Sequence, residues 1–213
     1  MASTSTSSRP SLTAIVAATQ ENGIGVNGGL PWRLPGEMKY FARVTTGENP
    51  SSAAVKQNVL IMGRKTWESI PPKFRPLKSR QNLVISGKGV DLGGAENSTV
   101  HESLDSALSA LPSGPEAPRA FLIGGSTLYT TALLPPSSER PLVDRVLLTR
   151  ILSPFECDAH LEDFASHQTP SGEKLWRKSS TQELREWIGW DVEEEQEEKG
   201  IKYRYEMWVW NQS

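Results

Sequence analysis

The sequence predicts an α/β fold in a single domain: a mostly parallel central sheet with helices on both faces and an antiparallel C-terminal strand and hairpin. Short apolar runs at Leu12 to Ala18, Asn58 to Met62, Gln81 to Ser86 and Ala120 to Ile123 are bounded by polar or glycine-rich turns, as buried parallel strands are. Helical patterns fall between several of them. The chain then ends in alternation, with Ile201, Tyr203, Tyr205, Met207 and Val209 on one side and Lys202, Arg204, Glu206, Trp208 and Trp210 on the other.

A length of 213 residues suits one domain, placed at 11–213 behind a disordered tail at 1–10. Met1 to Arg9 is rich in Ser and Thr and lacks the apolar core of a signal peptide. Its lack of acids leaves organelle targeting as the minor alternative to a cytoplasmic location. A net charge of -2 and a pI near 6.0 give no electrostatic footprint for nucleic acid. No apolar run approaches the length of a membrane span. The single cysteine, Cys157, fits a reducing compartment and reads as a small core residue, and no metal site is expected.

After the first strand, Gly23-Ile24-Gly25-Val26-Asn27-Gly28-Gly29 matches G-x-G-x-x-G, but no helix can open until Pro35, so a dinucleotide fingerprint is rejected. The glycines describe either a mobile lid or a plain surface loop. Leu30-Pro31-Trp32-Arg33-Leu34 leads into a helix with Pro35 in its first turn, closed by Thr45, Thr46 and Gly47. At about 100° per residue, Leu34, Met38, Phe41 and Thr45 share one face. Glu37 is the misfit, sharing a stripe with Phe41 and Val44. Either it is a wet first-turn glutamate favoured by the helix dipole, or it awaits a ligand edge with two parallel N–H donors, such as the amino-pyrimidine half of a pterin.

Gly47 to Lys56 reads as an exposed insertion. The second strand runs into Gly63-Arg64-Lys65-Thr66 and a short helix from Thr66 to Ile70, a place to hold a phosphate or an ordinary charged turn. Pro71 to Arg80 is a proline-stiffened loop carrying Lys73, Arg75, Lys78 and Arg80. The third strand ends at Ser86-Gly87-Lys88-Gly89, and Glu102 to Leu111 is expected to be helical. The fourth is followed by Gly124-Gly125, with Ser126 expected as N-cap of a helix from Thr127 to about Leu134. Pro135 to Pro141 reads as an insertion, Val143 to Ile151 as a strand, and Asp191 to Glu198 as part strand and part hairpin. A crevice is expected at the carboxyl ends of the parallel strands, with phosphate positions along one side and Glu37 at the bottom.

Together Ala14-Ile15-Val16-Ala17, Leu30-Pro31-Trp32, Glu37 with Tyr40-Phe41, Ile61-Met62-Gly63-Arg64-Lys65-Thr66-Trp67, Arg75-Pro76-Leu77-Lys78-Ser79-Arg80, Ile123-Gly124-Gly125-Ser126, Leu148-Thr149-Arg150 and Glu197-Glu198-Lys199-Gly200-Ile201-Lys202-Tyr203 closely resemble the dihydrofolate reductase family, from Ser11 to about Trp210. The insertions near Gly47, Pro112 and Pro135 resemble those of eukaryotic members, fungal ones included, and the stop soon after the last strand resembles the monofunctional form without an appended thymidylate synthase. The resemblance implies NADPH-dependent reduction of 7,8-dihydrofolate to tetrahydrofolate by a cytoplasmic monomer that binds antifolate inhibitors. It further implies that Glu37 holds the pterin N3 and 2-amino group with support from Thr149, and that Trp32 and Leu30 close over the reacting ring. Ile15, Val16, Met38, Phe41, Ser69, Ile70, Leu77 and Ile123 would line the pterin and benzoyl pocket, and Arg80 would grip the glutamate α-carboxylate.

For the cofactor, the resemblance implies Ala17, Ile24 and Gly25 at the nicotinamide and ribose, and Gly124, Gly125, Ser126, Thr127, Leu128 and Tyr129 at the pyrophosphate, with a cis Gly124–Gly125 bond. Gly63, Arg64, Lys65, Thr66 and Ser86 would surround the adenosine half. Three positions depart from the commonest pattern. Gly87 stands where a basic residue often follows the serine, which leaves either Lys88 to take the 2'-phosphate or a weaker contact there. Gly29 replaces a frequent acid before Leu-Pro-Trp, and Met38 a frequent aromatic. Two rivals are a riboflavin-pathway pyrimidine reductase of similar sheet and a non-catalytic NADPH-binding module; Glu37 with Arg80 argues against the first, and intact Glu37, Trp32 and Gly124-Gly125 against the second.

Overall fold

The computed structural model describes residues 11–47, 56–114, 117–134 and 141–211; the tail expected at 1–10 and the bulk of two expected insertions, at 48–55 and 135–140, lie outside them. In order come β1 (Leu12–Thr19), β2 (Gly23–Gly25), α1 (Pro35–Thr46), β3 (Val59–Gly63), α2 (Arg64–Ser69), β4 (Gln81–Ile85), β5 (Ser98–His101), α3 (Leu104–Ser109), β6 (Ala120–Leu122) and α4 (Ser126–Leu133). There follow β7 (Arg145–Ile151), β8 (Ala159–His160), β9 (Trp176–Lys178), α5 (Thr181–Ile188), β10 (Glu195–Glu198) and β11 (Ile201–Trp210).

One sheet has the order β10-β11-β7-β1-β6-β3-β4-β5, with β9 added beside β11. From β7 to β5 every pairing is parallel, and β9, β10 and β11 pair antiparallel. The expected architecture is therefore the observed one. Because successive strand residues point to opposite faces, Ala14, Val16 and Ala18 of β1 join a core with α3 and α4, while Ile15 joins a second core with α1, α2 and α5. The β1–β3 crossover leaves a gap that β6 later fills, and from β6 the chain passes to β7 on the far side of β1. That reversal puts a crevice at the carboxyl ends of β1 and β6.

Several local expectations shift. On α1 the buried residues are Glu37, Tyr40, Val44 and Thr45, while Met38 is 49% exposed. Tyr40, which the expected face omitted, turns the buried side by stacking on Tyr205 with ring centroids 3.9 Å apart. The glycine-rich segment is not an irregular loop: β2 pairs with β8, and Val26 and Gly29 exchange backbone hydrogen bonds around Asn27 and Gly28, both at positive φ. Helix α2 starts at Arg64 rather than Thr66, and α3 at Leu104, where Ser103 accepts from the Ser106 N–H. Ser126 lies inside α4 and Gly125 takes the N-cap, with no side-chain cap. Helix α5 went unanticipated although Ser180 and Glu183 form a capping box and Gly189 closes it in the left-handed region. No helix among the described residues is long and apolar enough to cross a membrane.

Candidate active site

Helix α1 carries an acid near one end and meets a base at the other. Glu37 is buried to 6% exposure, and its Oε1 accepts from Thr149 Oγ1 at 3.2 Å. Register pairs Thr149 with Ala17 of β1 and Tyr205 of β11, which fixes that hydroxyl beneath the crevice. Burial pushes the Glu37 carboxyl up to about 7; the Thr149 hydrogen bond opposes this, and the charge of Glu198 adds to it. The wet first-turn reading of Glu37 is thereby excluded.

At the far end, Arg80 Nη1 donates to Thr45 Oγ1 at 2.7 Å and its Nε to the Lys78 carbonyl at 2.9 Å. No carboxylate pairs with it among the described residues, and burial lowers its pKa to about 10. Asn82, fully buried on β4, holds the loop that carries it: its side chain accepts from the Leu77 N–H and donates to the carbonyls of Leu77 and Arg80. Thr45 is set in turn by its own hydrogen bond to the Phe41 carbonyl at 2.7 Å.

A second region is built from backbone. The Gly63 N–H donates to the Gly124 carbonyl at 2.8 Å, so the uncapped N-termini of α2 and α4 begin side by side. The Gly124–Gly125 peptide is cis. A Cβ on Gly124 would stand 3.2 Å from the Tyr129 ring and 3.5 Å from Thr66 Oγ1, so the turn has room for backbone alone. Paired helix starts with free N–H groups form a cradle for an anionic group such as a pyrophosphate.

The dihydrofolate reductase family model matches residues 11–188. The chain belongs to the dihydrofolate reductase family. It is similar to dihydrofolate reductase from Cryptococcus neoformans var. neoformans, 67% identical with both chains covered in full, and to that from Pneumocystis carinii, 38% identical over 93% of this chain and 96% of the relative. Bifunctional dihydrofolate reductase-thymidylate synthase 1 of Arabidopsis thaliana is 42% identical over 69% of this chain and 28% of its own length. An oxidoreductase of the dihydrofolate reductase class is thus established, and the pyrimidine reductase is set aside.

Ile15 is buried on the α1 side of β1, in the same core as the half-buried Phe41, Ile70, Leu77 and Ile123, whereas Val16, expected in the pocket wall, turns to the opposite core with α3 and α4 because successive strand residues alternate faces; Leu30 is 51% exposed. Trp32 is buried edge-on to Phe155 at 5.5 Å, and its Nε1 has no hydrogen-bond partner. Ser69, expected in the pocket wall, is exposed and donates to the Thr66 carbonyl. Tyr129 lies in the core under Gly124, its hydroxyl given to the Ile15 carbonyl at 2.7 Å. Arg64 is exposed and paired with Glu68 at 2.9 Å, while Ser86 donates to the Gly89 carbonyl and keeps only its lone pairs for a ligand. Ala17, Ile24 and Leu128 are half-buried, Gly25 buried, and Lys65, Lys88 and Thr127 exposed. Sequence reasoning missed Asn82 and Glu198. The signal for Glu198 was present, since Leu34-Pro35-Gly36 offers no local side chain able to cap α1.

Proposed function

We propose that the chain reduces 7,8-dihydrofolate to 5,6,7,8-tetrahydrofolate with NADPH, supplying one-carbon carriers, and that it acts as a cytoplasmic monomer open to antifolate inhibitors. The observation that carries this reading is the pair of buried, opposite charges at the two ends of α1. Glu37 and Thr45, the anchor of Arg80, are eight residues apart, about 12 Å at 1.5 Å per residue. A pterin edge with two N–H donors at one end and a glutamate carboxylate at the other suits a cleft of that length and polarity.

In this arrangement Glu37 accepts from the pterin N3–H and 2-amino group, and Thr149 holds the carboxylate in register. A carboxyl poised near 7 can take up and release a proton at neutral pH, and in its charged form it favours a ring that has gained a proton at N5. Leu30 and Trp32 exclude water from the reacting ring, and the unpartnered Trp32 Nε1 is a donor available at its edge. Arg80 presents a planar fork to the α-carboxylate, and Leu77, Ile70 and Phe41 flank the benzoyl portion. The glycine cradle with the starts of α2 and α4 fits a pyrophosphate, and the cations Arg64, Lys65 and Lys88 fit an adenosine 2'-phosphate. NADPH, when bound, supplies the hydride that C6 receives.

The test is NADPH oxidation by the purified chain. It should require dihydrofolate, and a ribosylated pyrimidine should not replace it. Absence of dihydrofolate-dependent oxidation would overturn the reading.

A further inference from the structure

Helix α1 starts without a cap of its own. Leu34 at the N-cap position has no side-chain acceptor and Pro35 has no N–H, so the open donors belong to Gly36 and Glu37. Both are taken by one carboxylate from the distant end of β10. The Gly36 N–H reaches Glu198 Oε1 and Oε2 at 3.0 and 2.9 Å, and the Glu37 N–H reaches Oε1 at 3.3 Å. Tyr203 on β11 donates its hydroxyl to the same oxygen. A Cβ at position 36 would lie 2.5 Å from Glu198 Oε1 and 3.1 Å from the Tyr203 hydroxyl, so glycine there is the complement of this carboxylate. The Lys199–Gly200 turn, both residues at positive φ, folds Glu198 back beside β11, which also pairs with β7, the strand that carries Thr149.

We propose that Glu198 is a positioning residue for dihydrofolate reduction: by capping α1 from another strand it fixes the Glu37 carboxylate against Thr149 and the bound ring. The proposal rests on the role given to Glu37 above. The same carboxylate also acts on Glu37 through its charge. The groups acting on Glu37 are Tyr40 on its own helix, Thr149 on β7, Tyr129 on α4, Tyr205 on β11 and Glu198 on β10. Burial pushes all three tyrosines up, so Glu198 is the one anion among them at neutral pH. Burial also pushes Glu198 up, but the hydrogen bonds from Tyr203, Gly36 and Glu37 outweigh it and hold its carboxyl below the usual range. It therefore stays charged while Glu37 titrates, and keeps Glu37 nearer its protonated form.

Two variants separate the cap from the charge. Glu198→Gln keeps one acceptor oxygen without the charge, and Glu198→Ala removes both. Steady-state kinetics across pH is paired with carbon-13 NMR titration of the Glu37 carboxyl in ligand-free protein, assigned with Glu37→Gln. Glu198→Ala should raise KM for dihydrofolate about tenfold, the effect of losing about one capping interaction. Glu198→Gln should recover most of that KM, yet lower the Glu37 titration midpoint and move the alkaline fall of kcat to lower pH. An unchanged KM for dihydrofolate in a folded Glu198→Ala would overturn the capping role, and a Glu37 titration and pH profile unchanged in Glu198→Gln, with an active parent protein, would overturn the action of Glu198 on Glu37 even if Glu198→Ala fails to fold. An inactive parent protein would refute the functional reading instead, and the NMR midpoints would still decide whether Glu198 acts on Glu37.

Discussion

Replacing Glu37 by glutamine should change how stability depends on pH, in a direction fixed by burial. The carboxyl is raised from 4.5 to about 7 in the folded chain, because burial disfavours its charge. The folded state therefore binds more protons than the unfolded one between those values. Stability lost to the buried charge is fully lost above about 7 and returns as pH falls toward 4.5. Between about pH 8 and about pH 5.5, a group with these two values contributes roughly 2 kcal/mol, which is roughly 4–8 °C in Tm for a domain of this size. The assay is thermal or urea unfolding of ligand-free wild type and Glu37→Gln at both pH values; the difference between the proteins cancels the other titrating groups. Wild type should gain about 2 kcal/mol more than the variant on acidification. Parallel pH dependences would show that burial does not raise the Glu37 carboxyl in the folded chain. A bound diaminopyrimidine, whose protonated ring favours the carboxylate, should abolish the extra gain.

Arg80→Leu should weaken dihydrofolate and methotrexate by about 10²–10⁴, the loss of two charge-assisted hydrogen bonds, and leave a tail-less antifolate and NADPH nearly unaffected by calorimetry. Equal losses for tailed and tail-less ligands would exclude a tail contact. Gly124→Ala places a Cβ at a φ of 112° and 3.2 Å from the Tyr129 ring, so NADPH affinity should fall at least about tenfold while the fold persists by circular dichroism. Unchanged affinity would remove the turn from the cofactor site. NADPH should exceed NADH in kcat/KM by about 10² or more, given the cations Arg64, Lys65 and Lys88; equal values would discard those contacts.

The parallel strands were legible because buried runs such as Leu12 to Ala18 and Asn58 to Met62 have no competing helical reading at that length. Strands β5, β8 and β9 were not: they have two to four residues each, and their pairing is decided by neighbours remote in sequence. Residue chemistry marked Glu37 as misplaced on its helix, but its face was misjudged because Tyr40, polar at one end, buries its ring on Tyr205. Arg80 was one of four cations in a loop, and only Asn82 and Thr45, brought in by β4 and α1, single it out. Glu198 was one of several glutamates between Glu193 and Glu198, so the missing cap of α1 called for an acceptor without naming which, until the hairpin folded Glu198 onto α1.

Whether Glu37 holds the pterin and promotes proton uptake at N5 is read from the rate of dihydrofolate reduction as a function of pH. Wild type and Glu37→Gln are compared in single turnover at saturating NADPH. The variant nearly keeps the side-chain shape and one acceptor, so it should fold and bind NADPH. Its rate at neutral pH should fall by orders of magnitude and recover in part toward acid pH, where preprotonated dihydrofolate needs less help. A variant with near wild-type rate at neutral pH, or with a loss that does not shrink on acidification, would contradict the role given to this carboxylate.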